Sequence, residues 1–159
     1  MVGITEAEKF LHKALVRARK VNLVEEELPA LIGLAELKRR RGDIKAAHGL
    51  LEEVWEPAER GPFPFAHADT YNVLAQIERD AGNHGAAVEA AIAAYRQAWC
   101  DGPPFAYHWG LQTARAHLSV LGEREPDLPP FDASKHEPMP HVEIEPPGSS
   151  AEENPGDLY

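Results

Sequence analysis

Apolar residues recur along most of the chain at helical spacing, and the same pattern returns every forty residues. Phe10, Leu11, Ala14, Leu15 and Ala18 fall on one face of a first helix, read from about Thr5 to Val21. Thr5 followed by Glu8 has the form of a capping box at its start. Three further segments share one pattern: Leu31-Ile32-Gly33-Leu34-Ala35-Glu36-Leu37, Tyr71-Asn72-Val73-Leu74-Ala75-Gln76-Ile77 and Leu111-Gln112-Thr113-Ala114-Arg115-Ala116-His117. Each is followed by a glycine, at Gly42, Gly82 and Gly122, where a left-handed residue would end the helix. The pattern predicts helices over about 24–41, 43–59, 66–81, 85–99 and 105–121. Asp43 is a good N-cap, and Pro57 falls near a helix end. Pro29 lies in the opening turns of the second helix, where a missing N–H costs least. The connectors repeat as well, as Pro64-Phe65-Ala66-His67 and Pro104-Phe105-Ala106-Tyr107.

A fixed period of this length marks stacked helical hairpins. Shifting the third helix back by forty residues lays Trp55 on Leu15, Val54 on Ala14, Leu51 on Leu11 and Ala47 on Ala7. The first helix therefore reads as the second half of a repeat, with its apolar face open. That phase suggests a fragment of a longer protein, or a homodimer formed through helix 1.

After residue 122 the pattern breaks down. Eight of the 14 prolines lie in 123–159, together with ten of the 26 acids but two of the 16 bases. The net charge of −10 thus belongs mainly to this acidic Pro-rich tail, since the preceding part holds sixteen acids against fourteen bases. The tail should be extended and packed to about residue 146, pinned by Phe131, Met139, Val142 and Ile144, and mobile beyond. The division is 1–122 for the helical repeat domain and 123–159 for the tail. An acidic chain is repelled by phosphate backbones, which argues against nucleic acid as a partner. No apolar run is long enough to span a membrane, and no signal peptide is visible. The single cysteine excludes an internal disulfide, so the expected location is cytoplasmic.

The hairpins resemble the tetratricopeptide repeat. Ala35, Gly42, Asp43 and Ala47, then Ala75, Gly82, Asn83, Ala87 and Ala94, stand where that family places small residues and its turn, although the usual period is thirty-four. The resemblance covers about residues 5–122 and implies an all-α, right-handed superhelix of antiparallel helical hairpins. Two stretches, Val54-Trp55-Glu56-Pro57-Ala58-Glu59-Arg60-Gly61-Pro62 and Ala98-Trp99-Cys100-Asp101-Gly102-Pro103-Pro104-Phe105-Ala106-Tyr107-His108-Trp109-Gly110-Leu111, are similar to the C-terminal repeat region of bacterial STAND (NACHT-like) NTPases. That likeness implies a scaffold or sensor array working beside a P-loop module. No Gly-x-x-x-x-Gly-Lys-Ser/Thr motif occurs in this sequence.

In tetratricopeptide arrays the first helix of each repeat lines an inner groove. Mapped through the shared glycines, the groove residues would be Ile32, Glu36, Arg39 and Arg40, then Asp69, Asn72, Gln76 and Arg79, then Trp109, Gln112 and Ala116. This is a polar strip with one aromatic anchor, suited to hydrogen-bonding an extended protein or peptide partner. The Lys and Asn positions of a carboxylate clamp are here Ile32, Glu36, Val73, Trp109 and Thr113, so chaperone-tail binding is not expected.

Catalytic and metal readings have less to stand on. His67, Asp69 and His108 could converge as a mixed metal cluster, but metal-binding spacings are missing, and helix-end histidines more often cap or pack. Cys100, beside Asp101, reads as a buried packing cysteine and not a nucleophile. Glu25-Glu26-Glu27 and Glu52-Glu53 read as solvated helix faces, and Lys38-Arg39-Arg40-Arg41 as favourable charge near the C-terminus of the second helix. Trp55, Tyr71, Tyr95 and Trp99 are expected between the hairpins. The reading is a non-catalytic interaction module without cofactor or metal, with pairing through helix 1 as the alternative and a metal-assisted enzyme as a weaker one.

Overall fold

The computed structural model describes residues 2–138 and 140, and among them the chain is all-helical. Six α-helices follow in order: α1 (Val2–Val21), α2 (Val24–Arg40), α3 (Ile44–Ala58), α4 (Pro64–Asp80), α5 (His84–Trp99) and α6 (His108–Leu121). Each helix packs on the next, and α2, α4 and α6 also touch one another in sequence. They form a row, with α3 and α5 on its other side.

The helix ends are cut by one repeated device. Gly42, Gly82 and Gly122 have φ of +78°, +78° and +76°, a region where only glycine sits without strain. Past each glycine the next N–H reaches back to an orphan carbonyl: Asp43 to Lys38 at 3.0 Å, Asn83 to Glu78 at 2.8 Å and Glu123 to Leu118 at 2.9 Å. Asp43 caps α3, its side chain accepting from the Ala46 N–H at 3.1 Å.

The core runs through the array in three linked patches. Leu15, Leu28, Leu31, Leu34 and Val54 bring α1, α2 and α3 together. Ala35, Ala47, Leu51 and Ile77 join the α2–α3 pair to α4. The α4–α5–α6 patch is built mainly of alanine, with Ala75, Ala90, Ala91, Ala94, Ala98 and Ala114 all buried. Such small side chains let helices approach closely but contribute little area each, so hydrophobic stabilisation there comes largely from Tyr95, Leu111 and Leu118.

Several boundaries differ from expectation. Helix α1 begins at Val2, so Thr5 lies inside it and is not its cap. Glu8 does not close a capping box but bridges to α2, contacting Lys38 at 2.8 Å and also Arg41. Pro29 is the sixth residue of α2, which runs through it. Helix α4 starts two residues early because Pro64, lacking an N–H, fits its first turn. Helix α6 starts at His108, not near Phe105: the Tyr107 N–H is held by the Ala98 carbonyl at 2.7 Å, and the Phe105 N–H by Gly102 at 2.8 Å. Those bonds shape residues 100–107 as a turn against α5. Cys100 sits in that turn with φ +52° and is exposed, which corrects its reading as a buried cysteine.

The open face expected on α1 is mostly covered. Leu15 and Ala18 are buried and Leu11 is half-buried, while Phe10 is 71% exposed. After Gly122 the chain runs without regular structure over α5 and α6. Glu125 accepts from Tyr95 Oη and from Arg115, both at 2.9 Å, and the Pro129 carbonyl accepts from Trp99 Nε1 at 2.9 Å. Phe131 packs on Phe105, ring centroids 4.6 Å apart, ahead of a short 3-10 turn at Ala133–Lys135. Met139, Val142 and Ile144 lie outside the described residues.

Candidate binding groove

Helical spacing decides which side chains share a face. On α2, Glu25, Leu28, Pro29, Ile32 and Glu36 fall on one stripe. On α4 the stripe is Phe65, Asp69, Asn72 and Val73, and on α6 it is Trp109 and Thr113. These stripes, with the connector Pro62–Phe63 and with Tyr107, enclose an open groove of about 730 Å3 between the N-terminal halves of α2, α4 and α6.

Five of the groove residues expected from sequence line this cavity: Ile32, Glu36, Asp69, Asn72 and Trp109. Arg39, Arg40, Gln76, Arg79, Gln112 and Ala116 do not. Toward the C-terminal ends of the helices an ion-pair ladder takes over. Glu36 accepts from Arg39 and Arg40, Arg39 also reaches Asp80 on α4, and Gln76 Nε2 donates to Asp80 at 3.0 Å. Burial opposes the charge on Glu36, but the Arg39 and Arg40 hydrogen bonds outweigh it and hold the carboxyl below its usual range. Buried His117, behind this ladder, has its pKa lowered by burial and then by the Arg79 and Arg39 charges, which favours the neutral ring.

The cavity wall is far more apolar than a polar strip. Phe63, Phe65 and Tyr107 add aromatic surface that the first helices alone do not supply. Phe65 stacks on Tyr107 at 4.4 Å, and Trp109 stands 69% exposed at the rim. Phe63 and Tyr107 come from connectors and Phe65 from the first turn of α4, and none is among the residues the pattern assigns to the groove. The signal for them was the repeated Pro-Phe-Ala, whose two copies pack differently: Phe65 faces Tyr107, whereas Phe105 faces the tail's Phe131.

A small polar cluster sits on the floor. Asn72 is buried, and its Nδ2 donates to the Gly110 carbonyl at 3.0 Å. That carbonyl can only accept, so the amide orientation is fixed and Oδ1 faces away from it. Asn72 Oδ1 is buried and, among the described residues, has no hydrogen-bond partner. Asp69, half-buried one helical turn earlier, accepts from Tyr107 Oη at 3.2 Å. Burial raises the Asp69 pKa, and the Tyr107 bond only partly offsets it. Burial and then the Asp69 charge push the Tyr107 hydroxyl up to about 12, so it remains a donor at neutral pH. Gly110 allows the arrangement. A Cβ there would lie 2.5 Å and 2.6 Å from two Tyr107 ring carbons.

The residues raised as a metal cluster are differently engaged. His67 Nδ1 contacts the Phe63 carbonyl at 2.9 Å and its ring stacks over Trp55, Asp69 turns to Tyr107, and His108 is exposed. Among the described residues no group of three or more His, Cys, Asp or Glu is placed to hold a metal ion. None of their helices is long and apolar enough to cross a membrane. No family model, curated protein or solved structure matches the chain.

Proposed function

We propose that this chain is a non-catalytic protein-interaction module that holds an extended segment of a partner protein in the groove between α2, α4 and α6. The observation that carries the reading is the groove itself: a preformed, open, aromatic-walled cavity of about 730 Å3 with few polar groups on its floor. Such surfaces anchor aromatic or aliphatic side chains in pockets while the polar groups fix register. The tetratricopeptide-like superhelix is part of the proposal, supported by the forty-residue period and by three helix ends closed in the same way. The placement beside a P-loop module of a larger bacterial signalling NTPase rests on the resemblance of residues 54–62 and 98–111 alone.

The test is a random-peptide selection against the whole chain. Peptides recovered should bind at least about tenfold more weakly to Phe65→Ala and Trp109→Ala, a difference of about 1.4 kcal/mol. Substitution of Arg96, exposed on α5, should leave binding unchanged. Peptides indifferent to Phe65 and Trp109 would refute the groove as the binding surface.

A second reading, self-association through α1, is favoured by one observation: Phe10 and Val16 are 71% and 67% exposed on that helix. Light scattering separates the two, since pairing through α1 requires a dimer that Phe10→Ala dissolves.

A further inference from the structure

The charged side chains that line the groove are all of one sign. Among the described residues no lysine, arginine or histidine lines it. Three of its four side-chain donors are engaged: Tyr107 Oη on Asp69, Asn72 Nδ2 on the Gly110 carbonyl, and Thr113 Oγ1 on the Trp109 carbonyl at 3.0 Å. The fourth, the Trp109 indole N–H, stands at the exposed rim, and the floor is left with acceptors. Asn72 Oδ1 is buried and has no hydrogen-bond partner among the described residues. Asp69 lies one helical turn away on the same face of α4, and among the described residues no cation is within salt-bridge distance of it. Glu25 adds a third carboxylate to the wall, while Glu36 is already neutralised by Arg39 and Arg40.

From this we infer that the groove is a receptor for a positively charged side chain, an arginine or lysine carried by an apolar peptide segment, whose donors reach Asp69. The inference deepens the groove reading above and rests on it. Three features agree on the occupant. The floor offers a carboxylate that accepts from Tyr107 and, among the described residues, has no cationic partner. The aromatic faces of Phe65, Tyr107 and Trp109 favour a cation and the methylene stem that carries it. The partial positive charge of helix N-termini does not reverse the sign, because Asp69 lies beyond the first turn of α4 and Glu25–Glu27 occupy that of α2. The chain's own tail is the wrong occupant by charge, with ten acids against two bases, and its described part lies over α5 and α6.

The test uses the whole, 15N-labelled chain and three synthetic heptapeptides with blocked ends. Leucines and prolines flank a central arginine, its neutral isostere citrulline, or glutamate. Binding is followed at the Trp109 indole N–H and the backbone amides. The expected result is at least a tenfold preference for arginine over citrulline, with glutamate weaker still. Asp69→Asn should abolish that preference, and Glu89→Gln, which removes the same charge from the exposed side of α5, should preserve it. Arginine and citrulline peptides that bind equally and both shift the Trp109 indole would overturn the cation inference while leaving groove binding intact. An arginine peptide whose shifts fall on α3 or α5 and ignore Asp69→Asn would overturn both. No shift with any peptide at millimolar concentration would also overturn the inference. The citrulline comparison needs no variant, so it stands even if Asp69→Asn fails to fold.

Discussion

Gly110→Ala tests whether the floor of the groove is built as described. The added methyl would sit 2.5 Å and 2.6 Å from two Tyr107 ring carbons and 3.4 Å from Ala68 Cβ. Ala68 can tolerate that contact, but the ring must move. Moving it disrupts both the stack on Phe65 at 4.4 Å and the 3.2 Å hydrogen bond to Asp69. Forced overpacking costs about 1–3 kcal/mol, and replacing glycine by alanine in a helix returns at most about 1 kcal/mol. The net expectation is a loss of about 1–2 kcal/mol, which for a chain of this size lowers Tm by roughly 2–8 °C. The assay is thermal and urea unfolding followed by circular dichroism, on a cycle of wild type, Gly110→Ala, Tyr107→Ala and the double variant. With the ring removed, Gly110→Ala should become stabilising by about 0.5–1 kcal/mol. The coupling between the two positions should therefore be about 2 kcal/mol, well above the scatter of such cycles. An equal cost of Gly110→Ala in both backgrounds would refute the role assigned to Gly110.

Three further outcomes are expected. Asp43→Ala removes the cap on the Ala46 N–H and should cost about 1 kcal/mol in urea unfolding, whereas Asn83→Ala at the equivalent position should cost less, because its side chain makes no cap bond. Because burial raises the folded-state pKa of Asp69, the folded protein binds more protons than the unfolded chain between the ordinary value of 3.8 and that raised value, and this contribution to stability falls as pH rises through that window. Urea unfolding at a series of pH values should therefore show Asp69→Asn gaining on wild type as pH rises through the window, and a difference independent of pH would contradict the burial of that carboxylate. Phe131→Ala removes the contact with Phe105 and should speed tryptic cleavage after Arg124 and Lys135 without changing cleavage within α1–α3.

The helical layout was readable because its signals are local and repeated. Gly42, Gly82 and Gly122 announce the same helix end three times, and Asp43 caps where its position suggests. The departures come where tertiary contacts outweigh local pattern. Glu8 is drawn to Lys38 and Arg41 on α2 instead of closing a cap. The start of α6 is delayed because Ala98 holds the Tyr107 N–H, a contact across an irregular turn that no periodicity encodes. Cys100 is turned outward by the same segment.

The groove was legible only in part. Asp69, Asn72 and Trp109 could be placed through the resemblance to tetratricopeptide hairpins, which implies a groove lined by the first helix of each repeat, mapped here through the shared glycines. The aromatic wall could not, because Phe63 and Tyr107 enter from connectors and Phe65 from a first turn of α4 that the pattern leaves in a connector. Identical tripeptides at 64–66 and 104–106 meet different neighbours, Tyr107 in one case and the tail in the other. The orphaned oxygen of Asn72 is equally invisible in sequence, since it depends on the Gly110 carbonyl holding the other end of the amide.

The most direct test of groove binding is hydrogen–deuterium exchange of the whole chain with and without a peptide selected against it. Slowed exchange should be confined to residues 24–36, 62–73 and 107–113, the segments that line the cavity. Protection spread over α3 and α5, or over the tail, with those three segments unchanged, would contradict it.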